Sequence, residues 1–328
     1  MMRNILLKPL HIANKTFPVN IIQGPLAGYS CSAFRLLTWE QSKPAFTCTE
    51  MISCNALAHQ PKLTYRRYIE KDPNEGPVCF QIFGKDPEKI GHATKVVTDY
   101  GADLIDLNCG CPVKKVRRQH AGSSLLTDPA TLYKLLSAMK KNTHLPIAAK
   151  IRVEGNSPDK FHAEIIKVVS DAGVDFLVVH GRHWNETYKD SCHYDQIQFF
   201  VEALKIPVIG NGNVFCINSL QKMFATGCAG VMVARAGVGQ PWLIQKLIAQ
   251  MRQQEFIDPS PEEIGVIFMR HIQLLEKLLG NEKFALLHAR KIASSYTQGL
   301  HNKKEFCFAV NNCSNLQELK NICLRYFI

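Results

Sequence analysis

Two cysteines, Cys109 and Cys111, stand one residue apart in the stretch GADLIDLNCGCPVKKVRRQHAGSSLLTDP, which covers residues 101–129. An apolar segment with the pattern of a buried strand precedes them. Thiols in such a place admit three interpretations, which are a metal site, a reactive thiol, or a turn of small residues that contains sulfur. Because a CxC pair is tighter than the usual zinc spacing and the sequence has no CxxC pair, the metal interpretation is the weakest. Four cations follow the pair, at Lys114, Lys115, Arg117 and Arg118.

Other apolar segments of the chain are also followed by polar or small residues. An inward lysine at a strand end carries a desolvation cost unless it meets an anion or an electron-rich ring, so Lys150 is the strongest single candidate for a ligand contact. A structural salt bridge is its alternative. A lone histidine is more often a satisfied polar residue than a catalytic one, but His180 is followed by Gly181 and Arg182. In chain order, the candidate ligand contacts are Pro25, Leu26, Ala27, Gln81, Asn108, Lys150, His180, Asn211, Gly212, Asn213, Ala234 and Arg235.

The last two apolar segments end in GNGNV and ARAG. Turns of glycine and asparagine that lead into helices present free backbone N–H groups, which suit a phosphate. No GxGxxG follows any apolar segment, so the sequence does not predict a Rossmann nicotinamide site. A phosphorylated flavin would use a lysine near its ring, a glutamine and an asparagine at its pyrimidine edge, and a phosphate cup, and all these residue types are present.

Eight apolar runs rich in Val, Ile, Leu and Phe alternate with segments of helical periodicity. Runs of this kind indicate strands buried on both faces of a parallel sheet. Eight of them predict an α/β protein with a closed (β/α)8 TIM barrel rather than an open sheet, and such barrels carry their sites at the carboxyl ends of the strands. The runs lie near residues 19–25, 45–51, 77–84, 104–110, 146–153, 176–182, 207–213 and 230–236.

After the eighth run the strand pattern stops. Ser260, Pro261 and Glu263 form a capping box with proline at the first helical position, so a helix is predicted to begin there. We therefore expect a barrel domain over 1–245 and a small all-helical C-terminal domain over 246–328. Residues 283–304 contain five Lys or Arg and no acid, among them Arg290 and Lys291, which indicates either a solvated helix face or a groove for phosphates.

The totals limit the class of protein. The 328 residues carry a formal net charge of +11, which favours a polyanionic partner such as nucleic acid. The sequence has no apolar run long enough to cross a bilayer and no secretory segment, so we expect a cytoplasmic protein with no membrane partner, and the twelve cysteines would be kept reduced there. Nothing in the sequence indicates oligomerisation, and we expect a monomer without a metal.

Several motifs, in order along the whole chain from about Leu10 to Phe327, resemble those of the bacterial tRNA-dihydrouridine synthases, most closely the B type. These are GPLAGYSCSAFR, CFQIFGKDPE, IDLNCGCPVKKVRRQHAGSSLL, AAKIRVEG, VVHGR, IPVIGNGNV and GCAGVMVARAGVGQPWLI. The resemblance implies a flavin-containing barrel followed by a helical RNA-binding domain. The family reduces the C5–C6 double bond of particular uridines in tRNA with NADPH or NADH as the hydride source.

The resemblance also assigns roles. It implies that Cys111 is the general acid and that FMN is held by the ligand contacts named above. Because a thiol with a pKa near 8.5 is protonated at neutral pH yet able to give up its proton, a cysteine suits the protonation of C5. Where related sequences have HGRTR, this chain has HGRHW, with His183 and Trp184. The residues expected to contact the RNA are Lys114, Lys115, Arg117, Arg118, Arg182, Arg290 and Lys291.

Two other functions remain open at this point. A flavin barrel that reduces a free pyrimidine or another enone would share the strand-end residues, but it would not need a basic helical domain. A non-catalytic tRNA-binding protein would need the basic surface, but it would have no use for Cys111 and the flavin contacts.

Overall fold

The computed structural model describes residues 7–59, 67–155 and 158–327. The first two strands of the described part form a short hairpin. Strands β1 (Leu10–Ile12) and β2 (Lys15–Phe17) pair antiparallel, with Leu10 opposite Phe17. All the strands after them pair in parallel. These later strands are β3 (Ile21–Gln23), β4 (Thr47–Cys48), β5 (Ile52–Ser53), β6 (Val78–Phe83), β7 (Leu104–Cys109), β8 (Ile147–Arg152), β9 (Phe176–His180), β10 (Val208–Asn211) and β11 (Gly230–Val233).

The parallel sheet closes on itself. Strand β3 pairs with β11 on one side, where Val231 lies opposite Ile21, and with β4 on the other, where Gln23 lies opposite Thr47. The remaining neighbours follow in chain order from β6 to β11, and β4 also pairs with β6. Every predicted apolar run contains one of these strands, so the predicted (β/α)8 barrel is confirmed.

The second barrel strand differs from its prediction, because it is broken between β4 and β5. Thr49 sits at the break, where its N–H donates to Cys79 O at 3.0 Å and its Oγ1 accepts from Gln81 N at 3.0 Å. Glu50 follows, and its carboxylate accepts a hydrogen bond from Gly28 N. The break therefore turns Glu50 toward the end of β3, where the candidate ligand contacts begin.

Helices alternate with the strands and then continue alone to the end of the chain. Ser260 caps the helix that begins at Pro261, as predicted, and Asp86 caps the helix that begins at Pro87 in the same way. The helices are α1 (Ser32–Ser42), α2 (Cys54–His59), α3 (Pro87–Asp99), α4 (Lys114–Arg117), α5 (Pro129–Lys141), α6 (Pro158–Asp171), α7 (Tyr194–Ala203), α8 (Ile217–Phe224), α9 (Leu243–Met251), α10 (Pro261–Leu279), α11 (Glu282–Tyr296), α12 (Lys303–Asn312) and α13 (Leu316–Tyr326), with 3₁₀ turns at Gly122–Thr127 and Arg235–Gly237.

The buried apolar side chains form two clusters. The first fills the barrel and the inner faces of its helices, and it extends along α9 through Leu247 and Ile248. The second joins α10 to α13, with Phe268, Phe306 and Phe327 near its centre. The expected boundary at residue 245 thus falls inside α9, a helix of the barrel cluster, and a boundary between Met251 and Ser260 would leave that helix whole.

Helix α1 connects the two clusters. Leu36 and Leu37 of this barrel helix belong to the second cluster, so the helical region packs against the barrel at the helix that follows β3. Within α1, Arg35 forms a fully buried ion pair with Glu75, with Nε 2.7 Å from Oε2. Arg35 Nη1 also donates to Ser30 O at 2.9 Å, and this contact fixes the turn between β3 and α1.

Candidate active site

A cavity of about 650 Å³ opens at the carboxyl ends of the barrel strands. Its size lies within the range of small-molecule and cofactor sites. All twelve residues predicted to contact a cofactor line it, together with Cys111 and Arg182. The structure thus brings together side chains that are up to 210 positions apart in the sequence, from Pro25 to Arg235.

A buried carboxylate organises the polar floor of the cavity. Asp106, on β7, is 2% exposed, and its Oδ2 accepts a hydrogen bond from Gln81 Nε2 at 2.6 Å. Gln81 Oε1 in turn accepts from Asn108 Nδ2 at 2.8 Å, and Asn108 Oδ1 accepts from Cys111 N at 2.9 Å. Three hydrogen bonds in sequence therefore connect Asp106 to the backbone of Cys111.

The direction of this series follows from chemistry. Burial raises the pKa of Asp106 to about 7, and the charge of Lys150 opposes that rise, so the ionised form is present at neutral pH. In the ionised form the carboxylate can only accept, and Gln81 then turns its NH2 toward Asp106 and its oxygen toward Asn108. Asn108 must then donate to Gln81, which leaves its own oxygen free to accept the N–H of Cys111. Asp106 accordingly fixes which way both amides face. Sequence reasoning missed Asp106, although an acid inside the apolar run LIDLN was a visible signal.

Lys150 lies at the end of β8 and points its ammonium group into the cavity, where Nζ donates to Asn211 Oδ1 at 3.0 Å. Asn211 Nδ2 donates to Met232 O at 2.9 Å, so the amide orientation of Asn211 is fixed as well. Burial lowers the pKa of Lys150, and the negative charge of Asp106 opposes this shift. Burial likewise raises the pKa of Asp106, against the hydrogen bond from Gln81 and the charge of Lys150. The opposite charges of Asp106 and Lys150 therefore lower the free-energy cost of burying either group.

His180 and Arg182 stand side by side at the end of β9. Burial lowers the pKa of His180 well below its usual value, and the surrounding cations lower it further, Lys150 most among them. The ring is therefore neutral at physiological pH. Since a guanidinium can only donate, the contact of Arg182 Nη1 with His180 Nε2 at 3.3 Å places the ring proton on Nδ1. His180 thus faces the cavity as a neutral polar group and not as a charge.

Arg182 differs from its predicted place on an RNA-binding surface. Its side chain is 1% exposed and donates to Asp190 O at 2.7 Å and to Asn213 Oδ1 at 2.6 Å. The reason is that the loop after β9 folds back over the guanidinium and supplies carbonyl acceptors. Arg182 therefore holds Asn213 in place at the cavity wall and is not available to a polynucleotide backbone.

The turns after β10 and β11 form one end of the cavity. Gly212 and Asn213 have φ values of 137° and 51°, which lifts their backbone out of the strand. Among the described residues, the N–H groups of Asn213 and Ala234 donate none of the backbone hydrogen bonds that form in the turns and loops. Arg235 stacks on Tyr188, with its guanidinium carbon 3.5 Å from the ring centroid. Backbone N–H donors and the planar guanidinium of Arg235 therefore line this end of the cavity, and both suit a phosphate.

The two cysteines have different environments. Cys109 is the last residue of β7, and it is fully buried in the barrel cluster. Cys111 lines the cavity, and Ser123 N donates to its carbonyl oxygen at 3.0 Å. Burial raises the pKa of the Cys111 thiol, although the backbone at Val113 and the charge of Arg152 oppose the rise. Its thiol is consequently protonated at neutral pH.

The remaining basic candidates lie outside the cavity. Lys114, Lys115 and Arg118 are exposed on and after the short helix α4. Arg117 is half-buried instead, because its guanidinium stacks on Trp184. This cluster borders the cavity on the side of Cys111.

Arg290 and Lys291, on α11, make contacts within the protein. Arg290 Nη2 donates to Cys313 O at 3.0 Å. Lys291 Nζ donates to Gly28 O at 2.9 Å and lies 3.8 Å from the centroid of the Tyr29 ring. Lys291 therefore ties the helical region to the turn that carries Pro25, Leu26 and Ala27.

Several cavity residues were not among the predicted contacts. Arg152 donates to Gly110 O at 2.7 Å and so holds the turn before Cys111. Met51 enters through the broken second strand, and Tyr188 enters from the loop after β9. Met51 ends the second predicted run, so its place at a strand end was a visible signal, whereas Tyr188 had none because only the path of the loop brings it to the cavity. Among the described residues, no group of His, Cys, Asp and Glu side chains could hold a metal ion. No helix of the described ranges is long and apolar enough to cross a membrane.

Residues 22–327 match the family described as dihydrouridine synthase (Dus). The tRNA-dihydrouridine synthase B of Proteus vulgaris is 31% identical over 310 residues, which are 94% of this chain and 95% of that protein. The tRNA-dihydrouridine synthase B of Pasteurella multocida is 30% identical over 301 residues, 91% of this chain and 90% of that protein. A probable tRNA-dihydrouridine synthase of Rickettsia bellii is 30% identical over 320 residues, 97% of this chain and 98% of that protein.

Among solved structures, morphinone reductase in complex with tetrahydroNAD superimposes with a TM-score of 0.55 at 12% identity, over 79% of this chain and 93% of that chain. At this identity the likeness concerns the barrel fold alone.

Proposed function

The chain belongs to the dihydrouridine synthase family, and from that membership we propose that it reduces the C5–C6 double bond of specific uridines in the D-loop of tRNA to 5,6-dihydrouridine. FMN is the proposed cofactor, and NADPH or NADH the proposed reductant. The observation that carries the proposal is the cavity itself, where a protonated thiol, a lysine and two oriented amides face one space at the mouth of the barrel. A site that holds a flavin and protonates a reduced pyrimidine needs groups of these kinds.

The residues present fit a phosphorylated flavin. The N–H groups of Asn213 and Ala234 and the guanidinium of Arg235 match a phosphate at one end of the cavity. Gln81 and Asn108 offer oriented amides, as the pyrimidine edge of an isoalloxazine requires. We propose that these groups hold the cofactor together with Lys150, His180, Asn211, Gly212 and the turn Pro25, Leu26 and Ala27.

The reaction needs a hydride and a proton. A reduced flavin held by the residues named above would supply the hydride for C6 of the uracil. The negative charge that then develops at C5 and O4 must be neutralised from the protein, and Cys111 is the proposed acid. Its S–H bond breaks as the C5–H bond forms, which leaves a thiolate. The charge of Arg152 stabilises that thiolate, since Arg152 lowers the pKa of Cys111 in opposition to burial.

The protein must also hold the RNA. A uridine in folded tRNA has to leave its base stack to enter the cavity. The enzyme must therefore bind the RNA backbone on both sides of that uridine. Lys114, Lys115 and Arg118 are exposed beside Cys111 and are the proposed first contacts. The basic segment 283–304 of the helical region is the proposed second contact, with Arg290 and Lys291 retaining their internal bonds.

One chain contributes every residue of the site, so a monomer satisfies the proposal. We further propose that the two hydrophobic clusters correspond to a catalytic barrel domain and a helical tRNA-binding domain. The proposed cellular place is the cytoplasm, where tRNA is matured.

Colour and reoxidation test the proposal. The purified protein should be yellow, should bleach with NADPH or NADH, and should reoxidise faster when an unmodified tRNA transcript is added, with dihydrouridine appearing in the tRNA. A colourless protein would contradict the flavin assignment. Equal reoxidation by free uridine would favour an oxidoreductase of free pyrimidines, and tRNA binding without any turnover would favour a non-catalytic tRNA-binding protein.

Two cysteine variants form a matched pair for the acid assignment. Cys111→Ala should bleach normally but lose turnover on tRNA, because the flavin contacts remain and the proton donor is gone. Cys109→Ala should keep most of its activity, since that thiol packs in the barrel core and faces no substrate. Near-normal turnover by Cys111→Ala would show that another group is the acid.

A further inference from the structure

An exposed tryptophan stands beside the cavity without lining it. Trp184, in the loop after β9, keeps 38% of its surface exposed, and the guanidinium carbon of Arg117 lies 3.6 Å from its ring centroid. The pair joins two segments that are distant in sequence, the short helix α4 after β7 and the loop after β9. An indole and a guanidinium in contact at the surface form a flat, cationic face of the kind on which nucleobases stack.

Both halves of the pair are tied to the turn that carries the proposed acid. Arg117 Nη1 donates to Ser123 Oγ at 2.9 Å, and Ser123 N donates to Cys111 O at 3.0 Å. On the other side, Arg152 Nη1 donates to the carbonyl oxygen of His183, the neighbour of Trp184, at 2.9 Å. Arg152 Nε donates to Gly110 O at 2.7 Å. The position of the pair relative to Cys111 is therefore fixed by two short series of hydrogen bonds.

The charge around the pair suits a polyanion. Lys114, Lys115 and Arg118 are exposed on the same segment as Arg117. The acids of the facing loop have partners of their own, because Glu186 accepts from His183 N and contacts His193, and Asp190 accepts from Thr187. The surface is thus aromatic and basic, a combination typical of single-stranded nucleic acid sites.

A base that enters the cavity leaves its neighbours in the strand without a stacking partner on one side. We propose that Trp184 and Arg117 form a stacking shelf for the nucleobase adjacent to the target uridine. The inference rests on the proposed function, since it presupposes that an RNA uridine occupies the cavity. It adds a base-contacting subsite to the backbone contacts made by the lysines, and it assigns that subsite to two side chains.

Variants of the tryptophan test the shelf from the protein side. Trp184→Ala should weaken binding of an unmodified tRNA transcript by about 5- to 150-fold, the range expected for losing one base–aromatic stack. Trp184→Phe keeps a ring and should stay within a few-fold of the wild type. Tyr100→Ala removes an exposed aromatic at the other end of the barrel, after α3, and should not change tRNA binding. Bleaching by NADPH should be the same in all four proteins.

Abasic RNA tests the shelf from the other side. Once the reduced uridine is located in the transcript, an abasic nucleotide is placed on its 5′ side, on its 3′ side, or at a distant loop position. If the shelf holds one neighbouring base, the RNA that lacks this base should bind the wild type more weakly than intact RNA does. Trp184→Ala should bind these two RNAs equally well. The stacking shelf is wrong if an abasic nucleotide weakens binding equally at all three positions and Trp184→Ala weakens the binding of each RNA by the same further factor. A wild-type protein that forms no dihydrouridine at all would instead refute the proposed function, so the two failures are distinguishable.

Discussion

Asp106 and Gln81 face each other across neighbouring barrel strands, with the carboxylate Oδ2 2.6 Å from the amide Nε2. This contact is closed to solvent, and the other carboxylate oxygen, Oδ1, has no hydrogen-bond partner among the described residues. Because an ionised carboxylate only accepts, Asp106 in its ionised form fixes the orientation of Gln81, then of Asn108, and then of the Cys111 backbone.

Replacing Asp106 by leucine should therefore weaken catalysis without unfolding the protein. The Gln81 amide loses the acceptor that fixes its orientation. A hydrogen bond to a charged group is worth about 1.5–3 kcal/mol, so kcat/KM for tRNA should fall by roughly 10- to 150-fold. The flavin absorption spectrum should shift as well, since the amides at the proposed pyrimidine edge become free to turn. Steady-state kinetics and absorption spectra measure both effects.

A double-variant cycle separates this role from general damage to the core. If Asp106 acts through Gln81, Asp106→Leu should add little in a protein that already carries Gln81→Leu. Fully additive losses would show that Asp106 acts by another route.

The pH dependence of turnover should follow the Cys111 thiol. Burial raises the pKa of this thiol above that of an ordinary cysteine, so the thiol keeps its proton to higher pH. Turnover on tRNA should fall on the alkaline side as the thiol loses its proton, and the midpoint of that fall should lie above the pKa of a free cysteine, about 8.5. Bleaching by NADPH should not show this fall. A midpoint below the pKa of a free cysteine would mean that the thiol is activated as a thiolate and is not the acid.

The sequence predicted the barrel because strands buried on both faces must be continuous apolar runs, and each of the eight runs contains a strand. It also predicted twelve of the residues that line the cavity, because the carboxyl ends of parallel strands converge whatever their separation along the chain. It could not predict the places of Arg182 and Lys291. Whether a cation faces solvent depends on the path of other segments, and here the loop at Tyr188–Asp190 covers Arg182 while α11 brings Lys291 to Gly28.

The buried ion pair between Arg35 and Glu75 should be essential for stability. Removing one partner leaves an uncompensated buried charge, so Arg35→Met should lower the free energy of unfolding by about 3–5 kcal/mol. The double variant Arg35→Met with Glu75→Gln should recover part of this loss, because Gln can still accept from Ser32 and Asp72 without carrying a charge. Urea unfolding measures both variants.

An exposed pair between α1 and α10 is the matched control. Arg270 and Glu40 are 2.7 Å apart, with side chains 47% and 32% exposed, so Arg270→Met should cost less than about 1 kcal/mol. A similar cost for Arg35→Met would mean that the buried pair contributes no more than a surface pair does.

The turn at Gly28 should be sensitive to a single methyl group. Gly28 has a φ of 82°, a conformation that costs other residues about 1–2 kcal/mol, and a Cβ there would overlap Lys291 Nζ. Gly28→Ala should thus destabilise the protein, break the Lys291 contact and reduce turnover on tRNA, since Pro25 to Ala27 line the cavity.

Gly101→Ala separates the backbone cost from the lost contact. Gly101 has a nearly equal φ of 86°, but a Cβ there would meet no atom within 4 Å, and the residue lies at the amino end of β7, away from the cavity. Gly101→Ala should lower the free energy of unfolding by a similar amount through backbone strain, and it should keep normal turnover on tRNA. Lys291→Met should lower turnover by itself and add nothing in the Gly28→Ala protein, because both changes remove the same contact. If Gly28→Ala and Gly101→Ala behave alike in urea unfolding and in tRNA turnover, the contact between α11 and the Gly28 turn has no functional role.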